Sequence, residues 1–188
     1  AYHAGLIAKY AIEKWAKISV EVEIASEYRY RDPIIDSQTL VIAISQSGET
    51  MDTLMALRHA KAAGARVLAI CNTNSSTIPR ESDAVLYTHA GPEIAVASTK
   101  AFLTQVVAVY LIGLHLAQVR KELTDSEVAD LYNELLALPA KIEAILETVE
   151  PLRALTRTFA KSSSVLFLGR NVGFPAALEG ALKLKELA

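Results

Sequence analysis

Apolar positions recur along the chain with different periods, and each period predicts a different element. From Tyr2 to Ala16, Leu6, Ile7, Tyr10, Ala11, Lys14 and Trp15 fall at helical spacing with charges between them, which predicts an opening helix. Val20–Ile24 alternates and reads as a short strand. Thr39–Ser45 is apolar on both faces, as a central parallel strand is, and Arg66–Asn72 and Ala84–Thr88 repeat the pattern. The spacing predicts a helix from about Thr50 to Ala63, stopped by Gly64, and a long apolar helix from about Thr99 to Lys121. Strand, helix, strand, loop, strand, helix is the order of an α/β fold, a doubly wound parallel sheet with flanking helices.

Beyond Lys121 the pattern changes to charged, amphipathic helix, with Pro139 and Pro151 marking boundaries between helices. Ser164–Arg170 then reads as a new buried strand, and the turn Asn171–Gly173 leads to a helix from about Pro175 onward. The stretch Phe174–Leu182 loosely echoes Tyr2–Tyr10 in its small and apolar positions. The expected organisation is a first unit over residues 1–122, a helical connection over 123–160, and the start of a second similar lobe over 161–188. The first unit is expected to lack the strand and turn that should precede Tyr2, so the chain reads as a fragment of a larger two-lobed protein.

Composition narrows the function classes. The 188 residues carry 19 Lys and Arg against 21 Asp and Glu, a net charge of −2, which gives no basic stripe for nucleic acid. With 52% hydrophobic and 21% charged residues the chain is not of the disordered type, and with only 6% aromatics its core must be built from Ala, Leu, Val and Ile. The lone cysteine, Cys71, cannot form an intrachain disulfide, which fits a reducing, cytoplasmic compartment. No secretory signal pattern is visible. Ala101–Gln118 holds no charged residue and reaches the lower limit of a membrane span, but it contains Thr104, Gln105, Gly113 and His115 and reads as a buried or interfacial helix, with no membrane partner expected.

Candidate chemistry gathers where strands give way to helices. Ser45-Gln46-Ser47-Gly48-Glu49-Thr50 offers three hydroxyls, a glycine and a helix N-terminus, which suit a phosphate dianion; the same residues also serve as a helix cap with spare hydroxyls. It has neither the Lys of a Walker A loop nor the glycine pattern of a dinucleotide site. The loop Gly91–Thr99 holds the equivalent place after the third strand, where Ser98 reads as an N-cap, a ligand contact or both. Glu179, Lys183 and Glu186 share one face of the last helix. Taken alone that face favours solvated ion pairs, although a carboxylate beside a lysine can also shuttle protons between adjacent sugar carbons. His3, His59, His89 and His115 show no close pairing with carboxylates or Cys71, no metal site is indicated, and Cys71 reads as a packed thiol.

Thr39–Thr53, with Ser-Gln-Ser-Gly-Glu-Thr at its centre, resembles the phosphosugar loop of sugar isomerase (SIS) domains, whose fold is flavodoxin-like. Ser26–Pro33, Ala69–Asn72, Glu93–Phe102, Phe167–Arg170 and Ala177–Glu186 narrow the resemblance to the isomerase half of the glutamine–fructose-6-phosphate aminotransferases, over essentially the whole chain. The resemblance implies that Ser45, Gln46, Ser47 and Thr50 bind the phosphate of fructose 6-phosphate and that Val96, Ala97 and Ser98 line the sugar. It implies that Glu186 moves the proton between C1 and C2 with Lys183 close to the reacting end. Glucosamine 6-phosphate is then the product, made with ammonia from a glutaminase domain of the same full-length chain. No metal or organic cofactor is expected, and a homodimer is. Ala95 stands where the family often has Gly. The family's later His for ring opening, its C-terminal Lys and the glutaminase Cys have no counterpart here, so the 188 residues alone are expected not to run the reaction. Two alternatives are a regulatory module that senses a phosphosugar without chemistry, and a plain dimerisation unit; the first has no need of Lys183 and Glu186.

Overall fold

In the computed structural model, which describes residues 1–187, the three expected strands pair in sequence order. β1 (Leu40–Ser45), β2 (Arg66–Cys71) and β3 (Ala84–Tyr87) form a parallel sheet, with Ile42 opposite Leu68, Ser45 opposite Cys71, and Cys71 opposite Tyr87. Their side chains divide by alternation. Ile42, Ile44, Leu68, Ile70 and Leu86 face one layer; Val41, Ala43, Val67, Ala69 and Val85 face the other. Both faces are apolar because both are covered by helices, which is why the strands lack an apolar/polar alternation.

The first layer is α1 (Tyr2–Ala16) laid against α5 (Lys100–Val119). Ala8, Ile12 and Ala16 pack with Ala108, Val109, Ile112 and Ala117, and mostly small residues at this contact let the two helices approach closely. Gly113 is one point of that approach, since an added Cβ would stand 3.2 Å from Trp15. Helix α5 is long and apolar enough to cross a membrane, yet its buried side chains pack on α1 and the sheet, as those of a core helix do. The opposite layer is α3 (Met51–Ala62), whose Leu54, Leu57 and Ala60 cover Ala43, Val67 and Ala69, joined by Ile78 from the one-turn α4 (Thr77–Glu81). A short helix α2 (Ala25–Arg31) brings Tyr28 to the same layer.

Two expected strands do not form. Val20–Ile24 and Ser164–Arg170 run without strand pairing: among the described residues the sheet is β1, β2 and β3, and neither stretch joins its hydrogen-bond ladder. Val22, Glu23 and Ile24 instead line a groove of about 360 Å³, whose other wall is the outer edge of β1 and the start of α3. Leu166 and Leu168 stand out from the surface, 83% and 88% exposed.

Beyond α5 the chain continues in three helices, α6 (Asp125–Leu136), α7 (Leu138–Leu146) and α8 (Val149–Phe159), none with a buried residue. A capping box opens α6, with Glu127 N–H donating to Thr124 Oγ1 at 3.3 Å and Thr124 N–H to Glu127 Oε2 at 2.8 Å. Pro139 and Pro151 sit in the first turns of α7 and α8, where a missing N–H leaves no helical bond unmade. The last helix, α9 (Gly173–Leu187), packs against α1. The outer limit of the expected second unit, residue 188, lies outside the described residues.

Candidate functional site

All three strands run in one direction, so the loops that follow them meet at one edge of the sheet. The first, residues 46–50, is folded around Ser45. Its hydroxyl, 3% exposed as a residue, accepts the Gly48 N–H at 3.0 Å and lies 3.2 Å from Thr50 Oγ1. Ser45 thus staples the turn from inside, while the half-buried Ser47 and exposed Thr50 stand nearer the surface. Gly48 has φ +69°, and a Cβ there would lie 1.9 Å from Ser76 Oγ and 2.7 Å from Cys71 Sγ. Only glycine fits, for both conformation and space. The main chain of Gln46 is bonded outward: its carbonyl accepts Asn72 N–H at 3.2 Å and Thr73 N–H at 3.3 Å.

The loop's own acid is turned away from its mouth. Glu49 Oε1 accepts the Thr77 N–H at 2.8 Å, and Thr77, through hydroxyl and amide, holds the Glu49 carboxyl below its usual range. What remains at the mouth is the Ser47 and Thr50 hydroxyls and the N-terminus of α3, whose first-turn N–H groups have no intrahelical partner. A helix N-terminus carries roughly half a positive charge, so this concavity favours an anion without any Lys or Arg.

The second loop, residues 88–99, is held at both ends. Asn72 Nδ2 donates to the Gly91 carbonyl at 2.8 Å, and Asn72 Oδ1 accepts Ala90 N–H at 2.8 Å and the Thr88 hydroxyl at 3.2 Å. Asn72 is therefore bonded to both loops, to Gln46 through its backbone and to residues 88–91 through its side chain. At the far end Glu93 accepts the N–H groups of Thr99 at 3.2 Å and Ala101 at 3.1 Å, which lowers its pKa, chiefly through Ala101. Glu93, not Ser98, caps the start of α5. Between these anchors Val96 projects into solvent at 96% exposure, Ala97 is buried and Ser98 is half-buried.

The third group stands on α9. Lys183 Nζ lies 3.2 Å from Glu179 Oε1 and 3.0 Å from Glu186 Oε2, bridging the two carboxylates. Burial works against the Lys183 charge, but the Glu186 and Glu179 carboxylates more than offset it, and its pKa is raised above the ordinary lysine value. Glu179 is itself buried and meets His3 Nδ1 at 2.6 Å. The expectation that no histidine pairs with a carboxylate is corrected here and again at His59, whose Nε2 lies 3.4 Å from Asp32 Oδ1. The tertiary fold closes chain separations that sequence spacing does not register. The N-terminus of α1, which carries His3, lines the same groove as Thr50, so α9 is pinned beside the end of α1 that borders the first loop. No hydrogen bond or ion pair among the described residues joins α9 directly to the Ser45–Thr50 turn.

A family model for the SIS domain matches residues 1–114. The chain belongs to the SIS domain family. Along its whole length it is 69% identical to the isomerizing glutamine–fructose-6-phosphate aminotransferase of Streptomyces coelicolor and 65% identical to that of Mycolicibacterium paratuberculosis. It spans 31% and 30% of those proteins, under a third of each. Among solved structures, the C-terminal domain of glucosamine-fructose-6-phosphate aminotransferase from Francisella tularensis superposes with a TM-score of 0.96 at 45% identity, over 99% of this chain and 53% of that one. The mixed α/β fold with a parallel sheet, which the strand pattern implies, is thus the SIS fold, which the resemblance implies.

Several of the contacts that hold these loops and α9 leave no signal in sequence spacing. Asn72 follows an apolar strand as any turn residue can. His3 and Glu179 are 176 positions apart. For Glu93, a loop carboxylate shortly before an apolar helix was the one available hint, outside the usual capping-box spacing. Cys71 is buried, with its thiol 3.6 Å from the Gln46 carbonyl oxygen and 3.6 Å from Ser76 Oγ, packed under the first loop. Among the described residues no group of acids, histidines and cysteine is arranged to hold a metal ion.

Proposed function

We propose that this chain is the isomerase portion of an isomerising glutamine–fructose-6-phosphate aminotransferase, acting in amino-sugar biosynthesis. Ser45, Gln46, Ser47 and Thr50 form the phosphate cradle for fructose 6-phosphate, and Val96, Ala97 and Ser98 line the sugar. Ammonia released from glutamine by a glutaminase domain of the full-length chain condenses at C2, losing water, to give an imine. The Glu186 carboxylate then takes the C1 proton and returns it to C2, while the C1 hydroxyl proton passes to the nitrogen, so that C1 becomes the aldehyde and C2 bears the amine of glucosamine 6-phosphate. The Lys183 ammonium, kept charged between its carboxylates, stabilises negative charge developing at the C1 oxygen.

The observation that carries this reading is the Lys183–Glu186 pair 3.0 Å apart on α9, a helix held through His3–Glu179 against the end of α1 that lines the same groove as Thr50. A module that only senses a phosphosugar needs the loop and not the pair. High identity to proteins named for this reaction supports the same reading, and because the chain is under a third of their length, the reaction is proposed for the full-length protein. Residues 1–122 are read as the first lobe, 123–160 as a helical connection and 161–188 as the start of the second. The full-length protein is read as a cytoplasmic homodimer.

Calorimetric titration of the full-length protein with fructose 6-phosphate, with fructose, and of a Ser47→Ala variant tests the cradle. The expected result is phosphate-dependent binding weakened about 5- to 10-fold by loss of one hydroxyl contact of roughly 1–1.5 kcal/mol. Equal affinity for fructose and its phosphate, or no effect of the substitution, would remove the loop from the site.

A further inference from the structure

The His3–Glu179 contact is not used by the mechanism above, and its geometry bears on the residues that are. Glu179 offers two oxygens, and each is taken by a different partner: Oε2 by His3 Nδ1 and Oε1 by Lys183 Nζ. An ionised carboxylate only accepts, so His3 Nδ1 carries the hydrogen and donates it. The side chains form a line that opens toward solvent, with His3 14%, Glu179 10%, Lys183 25% and Glu186 35% exposed. The enclosed end is anchored. His3 sits on the first turn of α1, whose Ala4, Ile7, Ala8, Ala11 and Ile12 are buried, and its ring leans on Tyr2 at 5.6 Å between centroids. Helix α9 has far less holding it, with only Pro175 and Glu179 buried.

We propose that His3 is a positioning residue: by fixing one oxygen of Glu179 from the rigid α1, it aims the other oxygen at Lys183 and so sets Lys183 against Glu186. Glu179 is then a buried relay, not a surface ion-pair partner. Without His3 the carboxylate is free to rotate, Oε2 is left buried without a donor, and Lys183 loses its fixed counter-charge on the side away from Glu186. Misplacement of a reacting group by about 1 Å costs on the order of 100-fold in rate, so the effect belongs in turnover and not in binding. The phosphate cradle, held by Ser45, Gly48 and Asn72, is unaffected.

This inference rests on the proposed reaction, and full-length protein carrying His3→Leu or His3→Asn tests it with the readouts kept separate. Asparagine places an amide N–H close to where the imidazole Nδ1–H stood, so it restores the donor without the ring. The measurements are kcat and KM for fructose 6-phosphate, together with the melting temperature of each variant. The expected result is a kcat lowered about 10- to 100-fold in His3→Leu with KM within about 3-fold, and most of the loss recovered in His3→Asn. A kcat within about 2-fold of the unsubstituted protein overturns the proposal. So does a loss that tracks a collapse in melting temperature and is not recovered by asparagine, because His3 is then a structural pin. If the unsubstituted full-length protein forms no amino sugar from fructose 6-phosphate, the reaction itself is refuted, and this inference with it.

Discussion

Substituting Gly48 by alanine perturbs the first loop at the point where its shape is most tightly determined. Two costs add. The left-handed backbone at φ +69° disfavours a side chain by about 1–2 kcal/mol. The new methyl also enters space already held by Ser76 Oγ at 1.9 Å and Cys71 Sγ at 2.7 Å, and overpacking of this kind costs about 1–3 kcal/mol. Ser76 cannot simply turn aside without giving up its bond to the Thr73 carbonyl at 2.9 Å. The expected total is about 2–5 kcal/mol, a fall of roughly 5–15 °C in the melting transition of a unit this size. Because Gly48 N–H is also bonded to Ser45 Oγ, the cradle distorts, and affinity for fructose 6-phosphate falls with stability. Adding Ser76→Gly to Gly48→Ala removes two of the three close atoms and is expected to recover about 1–2 kcal/mol, a coupling within the range seen for touching residues. Differential scanning calorimetry and titration on the full-length single and double variants measure both effects. A Gly48→Ala protein that melts and binds like the unsubstituted one, or a double variant with no recovery, would refute the steric reasoning.

Other substitutions probe the supports of the site. Asn72→Ala removes three side-chain hydrogen bonds to residues 88–91 and is expected to cost about 2–3 kcal/mol, with faster amide exchange across residues 88–99. Glu93→Gln tests the cap of α5 through pH. The Glu93 pKa is lowered on folding, so its stabilisation is complete above the unfolded glutamate value of about 4.3 and is lost as pH falls through the lower folded value; melting curves between about pH 3 and 6 should lose that acid-side component in the variant. Gly113→Val pushes into Trp15, 3.2 Å from the new Cβ, and Ile12, and is expected to destabilise the α1–α5 contact by about 1–3 kcal/mol in a thermal melt.

The sheet was legible because its evidence is local. Thr39–Ser45, Arg66–Asn72 and Ala84–Thr88 are apolar on both faces, and each forms a strand within a residue of the expected limits. Helix α1 matches its expected span from Tyr2 to Ala16, and Pro139 and Pro151 mark the starts of α7 and α8 as expected. Val20–Ile24 has the right alternation and forms no strand, since pattern supplies a face but only a neighbour supplies the ladder. Ser164–Arg170 fails for the same reason. The Ser45–Thr50 turn could be singled out as a candidate anion site from residue types alone, whereas the devices that hold it cannot be read that way. Gly48 must be glycine because of Ser76, 28 positions on; Asn72 matters through Gly91; and His3 meets Glu179 across almost the whole chain. Such contacts are products of the fold and leave no trace in spacing.

The proton transfer assigned to Glu186 is the centre of the functional reading, and Glu186→Gln in the full-length protein tests it most directly. The glutamine keeps the size and a hydrogen-bonding end next to Lys183, which stood 3.0 Å from the carboxylate, but it cannot accept a proton from carbon. Formation of glucosamine 6-phosphate from fructose 6-phosphate and glutamine, followed by NMR, should fall by at least about 100-fold, while fructose 6-phosphate binding by calorimetry stays within about 3-fold. Turnover retained in Glu186→Gln would contradict the account, because the C1–C2 proton would then be carried by a group other than the one the α9 cluster presents.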